Sequence, residues 1–194
     1  MTLGRVVVLN GTSSSGKTTL AAALRRRLEA DDECWVVYSQ DDFCPKLPPS
    51  WIQAGKHIGR HADDGFVLEV RDGEFELRVG PIGHAILAAY RGAVAAAAHE
   101  GLNVIVDEVT MTQGEWDDWQ VRLNGVDTTW VRVELAPDEL ERREAARGDR
   151  TIGHARYQLD IVHRFADYDL TVDTGVLSPD EAAAAIVSYL GTRR

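Results

Sequence analysis

Five short apolar runs alternate with helical stretches along a chain of 194 residues, and this pattern predicts an α/β fold. The runs are rich in valine and lack polar alternation, as strands of a mostly parallel sheet covered by helices on both faces require. A glycine-rich loop stands between the first run and the first helix, the place where such sheets put an anion-binding turn. With 44% apolar and 27% charged residues, the composition suits one domain spanning 1–194.

The elements follow in order. Residues 5–10 form the first buried strand, and 17–30 an alanine- and leucine-rich helix. Arg25, Arg26 and Arg27 near its end complement the helix dipole and read as a solvated face. A second strand spans 34–39 and ends at Gln40, Asp41 and Asp42. From 43 to 65 Pro45, Pro48 and Pro49 break regular structure, which predicts a functional loop rather than a plain connector. Residues 66–79 alternate apolar and polar about Asp72-Gly73, a hairpin signal. The segment from about 43 to 80 is thus expected as an acceptor-side insertion. An alanine-rich helix covers 81–100 and stops at Gly101. Residues 103–107 are a third strand, 115–123 a helix, and 129–135 a fourth strand. Pro137 opens a helix to about Arg147, and a further helix is expected over 155–166. The arginine-rich stretch from about 138 to 165 is expected as a lid. Residues 170–173 are the last strand, and Ser178-Pro179-Asp180-Glu181 starts a closing helix to about Leu190.

Charge narrows the function classes. The net charge is −10, so the diffuse basic field that binds nucleic acid is absent. Lys17, Lys46 and Lys56 are the lysines, and every other basic residue is arginine, whose planar fork suits phosphate. Cys34 and Cys44 have neither zinc-site nor disulfide-framework spacing, and read as free thiols of a reducing compartment. The run Val6–Leu9 is too short for a secretion signal, and no stretch has the length of a membrane span. A cytoplasmic protein with no nucleic-acid or membrane partner is expected. No apolar stripe marks an interface, so a homo-oligomer is not readable.

Gly11-Thr12-Ser13-Ser14-Ser15-Gly16-Lys17-Thr18 satisfies the phosphate-loop pattern G-x-x-x-x-G-K-[ST] at every fixed position. The glycines allow a tight turn in which successive N–H groups converge on a β-phosphate, and the helix that follows aims its positive end at the same anion. Lys17 supplies a point charge for the β- and γ-oxygens, and the Thr18 hydroxyl a magnesium ligand. Residues 11–18 with Thr19 form the expected nucleotide cradle. No N-K-x-D guanine reader occurs, and the length suits a small-molecule kinase better than a motor or AAA-type ATPase.

A kinase also needs a group to take or orient the acceptor proton, placed beyond the carboxyl ends of the strands. Asp41-Asp42 and Asp107-Glu108 qualify. Asp107 ends the apolar run Val104-Ile105-Val106, the Walker B pattern, and is expected at Mg²⁺ or its water shell; Asp41 is then free to act on the acceptor. Cations for the transferring phosphoryl are expected from Arg143, Arg147 and Arg150. Arg143 and Arg147 share a helix face, Gly148 permits the turn that returns Arg150, and Asp149 is placed to hold an arginine.

The string Val-Leu-Asn-Gly-x-Ser-Ser-x-Gly-Lys around Lys17 stands beside Asp41, Asp107 and Ala146-Arg147-Gly148-Asp149-Arg150. With Val162-His163, Tyr168-Asp169 and Val172-Asp173-Thr174, the chain from about 5 to 190 resembles the chloramphenicol 3-O-phosphotransferases and their P-loop relatives. The resemblance implies a kinase-type sheet of strand order 2-3-1-4-5, ATP as donor, Asp41 as base for an antibiotic's alcohol, and Arg147 and Arg150 near the phosphates. His163 falls at a matching position and is expected as either a structural or a catalytic histidine. The departure from that family is the loop bearing Lys56, His57, Arg60, His61, Asp63 and Asp64, a more polar set that leaves the acceptor open between an amphenicol, another hydroxylated antibiotic, a sugar and a nucleoside.

The expected activity is ATP- and Mg²⁺-dependent phosphotransfer to a hydroxyl of a small molecule, an antibiotic above all, as a resistance device. Two other classes fit the same motifs: a nucleoside, nucleotide or sugar kinase of primary metabolism, and a regulatory protein whose phosphate loop only senses ATP. A phosphotransferase acting on a cell-wall sugar nucleotide, in the manner of zeta-type toxins, is a further expectation.

Overall fold

A computed structural model describes residues 2–72, 74–147 and 153–192, with the Arg147 side chain outside that set. Five strands, β1 (Arg5–Asn10), β2 (Trp35–Ser39), β6 (Asn103–Glu108), β7 (Asp127–Glu134) and β8 (Leu170–Asp173), form one sheet of order β2-β6-β1-β7-β8. In sequence order of these strands that is 2-3-1-4-5, the expected order, and every pairing is parallel.

Strand alternation assigns each face its helices. Val7, Leu9, Ile105, Val131 and Val133 pack against α1 (Lys17–Ala30) and α7 (Pro179–Thr192). Val6, Val8, Val104, Val106 and Trp130 pack against α3 (Pro81–His99) and α4 (Gln113–Arg122). Because the central strands β1 and β6 are apolar on both faces, helices cover both sides of the sheet, and the active end lies along the carboxyl ends of the strands. The helix over α4 starts two residues before its expected position, because Thr112 and Glu115 close a capping box.

The segment expected as an irregular loop is partly ordered into regular structure. After β2 come the short helix α2 (Gln40–Phe43) and the strand β3 (Ile52–Ala54). That strand pairs parallel with β4 (Phe66–Arg71), which pairs antiparallel with β5 (Glu74–Val79). The hairpin stands where Asp72 predicts it, with Asp72 itself at φ 53°; Gly73 lies outside the described residues. The strand β3 escapes the sequence because its three residues lie between a proline cluster and Gly55, too few to show a period.

A second departure concerns 155–166. The helix there is α6 (His154–Leu159), followed by turns rather than further helix. Val162 is pulled into the interior, where its carbonyl accepts a hydrogen bond from Asn10 Nδ2 at 3.1 Å, and this tertiary bond diverts a carbonyl that a continuing helix would use. The helix α6 starts without a side-chain cap on Gly153. Instead the buried Glu144 of α5 (Pro137–Arg147) accepts from the N–H groups of Gly153 and Ala155, at 2.8 and 2.7 Å. Among the described residues no helix is long and apolar enough to cross a membrane.

Candidate active site

The phosphate loop turns through left-handed residues, Ser14 at φ 63° and Gly16 at φ 90°. Gly11 has no room for a side chain: a Cβ there would stand 2.6 Å from the Val133 carbonyl oxygen. The Ser14 hydroxyl is buried with no hydrogen-bond partner. A buried polar atom without a partner is costly, and an anion seated in the loop would satisfy it. Lys17 Nζ donates to the Thr12 carbonyl at 2.7 Å and lies 3.8 Å from Asp107 Oδ1. The Thr18 hydroxyl donates to Asp107 Oδ2 at 2.6 Å. The neighbouring residue of the acid pair faces away: alternation sends Glu108 toward Tyr90 and Glu115, where burial first, and then the Glu115 charge, pushes its carboxyl up to about 8. Glu108 is therefore an acid of the α3–α4 side.

A cavity of about 760 Å³ opens over this loop, within the size range of small-molecule sites. Ser13, Ser14, Gly16, Lys17, Thr18, Thr19, Asp41, Asp107 and Arg143 line it, so most of the predicted site residues share one space. Gly11, Thr12 and Ser15 form the loop's backbone beneath. Asp41 is exposed in the first turn of α2, its N–H donating to Ser39 Oγ at 3.2 Å.

The opposite wall is apolar, and the polar residues of the 43–65 loop are not part of it. Ile52, Ala54, Phe66, Leu68 and Leu77 of the small sheet, with Val109 and Met111, line the cavity. Lys56, His57, Arg60, His61, Asp63 and Asp64 do not line it and are all exposed. The reason is the strand period that the proline cluster conceals: the sheet turns its apolar side chains to the cavity, and the polar ones fall on the connecting turns.

Of the expected cations, Arg143 is half-buried beside the loop. Its Nε donates to Glu139 at 2.8 Å and its Nη2 to the Thr174 carbonyl at 3.0 Å, while Nη1 stands 3.5 Å from the Cβ position of Gly16. Glu139 holds both Arg142 and Arg143, which keeps its own carboxyl down at about 2. Asp149, proposed for such a hold, lies with Gly148 and Arg150 outside the described residues. Arg147 closes α5, and its side chain lies outside them as well.

His163 sits in a hydrogen-bonded chain. The Asn10 amide is oriented by the Thr110 N–H, which donates to its Oδ1 at 2.9 Å, so Asn10 Nδ2 donates to the Tyr168 hydroxyl at 2.6 Å. That hydroxyl shares a hydrogen bond of 2.7 Å with His163 Nδ1, which a neutral imidazole can accept. Burial, then the charges of Arg132 and Lys17, hold the His163 imidazole down at about 4. With the folded value below the unfolded 6.5, the unfolded chain binds the proton first, so this contribution is present above pH 6.5 and is lost as pH falls toward 4. His163→Gln keeps an acceptor for Tyr168. It is expected to reduce the drop in unfolding free energy between pH 6.5 and 4 by about 1–2 kcal/mol after allowance for solvent screening. Urea unfolding at several pH values checks this, and an unchanged slope counts against it.

Two cavity-lining residues had no signal in the sequence. Gln158 and His154 lie on one face of α6, and Gln158 Oε1 accepts from the Ser13 N–H at 2.6 Å. Their i,i+4 spacing is visible in the chain, but nothing in it says that α6 docks on the phosphate loop.

Comparison with known proteins adds to this geometry. The family described as chloramphenicol phosphotransferase-like protein matches residues 4–191. A Mycobacterium tuberculosis protein, present in two strains and provisionally named an O-phosphotransferase, is 32% identical over 182 residues, covering 93% of this chain and 79% of the relative. Among solved structures, the M. tuberculosis APS kinase in complex with AMPPNP and APS aligns with a TM-score of 0.67 at 20% identity, over 98% of this chain and 99% of that one. The Deinococcus radiodurans tunicamycin resistance protein aligns with a TM-score of 0.61 at 17% identity, over 97% and 96%. At such identities the structural likeness speaks to the fold.

Proposed function

The chain belongs to the chloramphenicol phosphotransferase-like protein family, and on that premise we propose that it transfers the γ-phosphoryl group of ATP to a hydroxyl of a small acceptor with a mainly apolar body. The observation that carries this reading is the cavity itself: a phosphate loop and Asp41 on one side, a wall of aliphatic and aromatic side chains on the other. A hydroxylated antibiotic of the amphenicol type is the acceptor to test first, with resistance as the consequence.

In the proposed reaction, the acceptor oxygen forms a bond to the γ-phosphorus as the bond to the β–γ bridging oxygen breaks, giving ADP and a phosphate monoester. Asp41 takes the hydroxyl proton, and Lys17 and Arg143 face the charge that spreads over the phosphoryl oxygens. Arg147 and Arg150 are assigned to the same charge by the sequence pattern. The residues present also suit magnesium. Thr18 Oγ1 and Asp107 offer the hard oxygen donors that it prefers. Bound there, magnesium would supply charge neutralisation at the phosphates.

Acceptor-stimulated ADP release across chloramphenicol, polar antibiotics, nucleosides and sugars tests the reading. The expected result is strongest stimulation by alcohols with apolar bodies. Stimulation by sugars or nucleosides above all others would move the protein to primary metabolism. Nucleotide binding with no stimulation by any hydroxyl compound would leave the ATP-sensing alternative.

A further inference from the structure

One peptide unit of the phosphate loop is held at both ends by groups that the proposed chemistry treats separately. The carbonyl of the Thr12–Ser13 peptide accepts from Lys17 Nζ at 2.7 Å. The N–H of the same peptide donates to Gln158 Oε1 at 2.6 Å. Since a peptide bond is planar and stiff, a force on its oxygen turns its N–H as well. Gln158 passes the connection on: its Nε2 lies 2.9 Å from His154 Nε2, one turn back on α6. His154 in turn stacks on Phe75 of β5, with ring centroids 4.6 Å apart and planes 19° from parallel. Residues 75 and 77 of β5 lie on the same face of that strand, and Leu77 lines the cavity.

Gln158 and His154 are buried, 3% and 8% exposed, so neither bond is a passing surface contact. Glu144 fixes the start of the helix that carries them through its two bonds to Gly153 and Ala155. The chain of contacts therefore runs without a gap from the lysine of the phosphate loop to the sheet that forms the acceptor wall.

We infer that Gln158 and His154 are positioning residues that couple the two halves of the site, so that nucleotide in the phosphate loop is felt at β5. This rests on the nucleotide reading of the loop. A γ-phosphate draws Lys17 Nζ away from the Thr12 carbonyl toward its own oxygens. The Thr12–Ser13 peptide then reorients, Gln158 follows its N–H, and His154 shifts its stack on Phe75. The acceptor wall takes its final position only when the donor is in place, which limits phosphoryl loss to water when the acceptor side is unformed.

Hydrogen–deuterium exchange with and without saturating AMPPNP tests this on the whole chain and requires no known acceptor. In the wild type, AMPPNP is expected to slow exchange both in the loop around Ser13–Lys17 and in β5, the latter by roughly fivefold or more, the lower range of ordinary coupling. His154→Phe keeps the ring that stacks on Phe75 and removes the bond to Gln158; Gln158→Met removes both bonds at similar volume. His154→Phe, which leaves the Ser13–Gln158 bond in place, is expected to keep the protection of the loop, and both variants are expected to reduce the nucleotide-dependent change at β5 below about twofold. A residue that merely props up the fold would alter β5 exchange equally with and without AMPPNP, so the difference between the two states is what distinguishes coupling from support. A wild-type chain protected at the loop but unchanged at β5 overturns the inference, as does a β5 response that persists in both variants. Absence of protection at the loop itself overturns the nucleotide reading and the coupling with it.

Discussion

Lys17→Met is expected to lower kcat/KM for phosphotransfer by roughly 10³-fold, the upper part of the range for removing a preorganised donor from a developing charge. The lysine is 6% exposed and directed into the loop, with its ammonium against Thr12 and near Asp107. In a water-poor site a single positive charge near the γ-oxygens has more effect than the same charge in solvent. Methionine keeps the stem and its packing. The Thr12 carbonyl retains Ser15 Oγ at 2.9 Å, and Asp107 retains the Thr18 hydroxyl, so the loop is expected to stay folded. Coupled ADP-release kinetics, with circular dichroism as a folding control, check the result. A folded variant within tenfold of wild type would remove Lys17 from the transfer step.

Asp41→Asn carries the second large effect, a fall in kcat of about 10²- to 10⁴-fold with little change in the KM for ATP. Asp41 lies at the start of α2, on the cavity rim that faces the phosphate loop, and is exposed. Asparagine matches its shape and suits the same helix start but cannot take a proton. The split between kcat and KM is the useful part of the measurement. A residue that only shaped the rim would move KM for the acceptor and spare kcat, and wild-type turnover by Asp41→Asn would dismiss its assignment as base.

The two substitutions also mark what the chain discloses on its own. The cradle around Lys17 is legible because its chemistry is local: a glycine-permitted turn, successive N–H groups and a helix start lie within eight consecutive residues, Gly11 to Thr18. Asp107 is legible because a carboxylate ending an apolar strand is local too. Asp41 needed one more step, the rule that such sheets work at the carboxyl ends of their strands. The lining of the acceptor side is not legible in the chain, for a physical reason. Its wall comes from one residue here and two there on β3, β4 and β5, and the charged residues between them, Lys56 to Asp64, are more conspicuous in the chain yet stand outside the cavity. Where a side chain points depends on a strand period, and three residues between prolines and a glycine are too few to display one.

Local pattern is enough for the architecture of the main sheet, since five apolar runs call for cover by helices on both faces, and for the phosphate loop, whose geometry is encoded residue by residue. The apolar acceptor wall, the burial of Glu144 as a cap for α6, and the bonds from Ser13 through Gln158 to His154 exist only once the elements are packed together. Each joins residues from different elements, with Ser13 and Gln158 separated by 145 positions. Spacing along a helix or strand states which side chains share a face; which element that face meets is settled by packing, and no local pattern carries it.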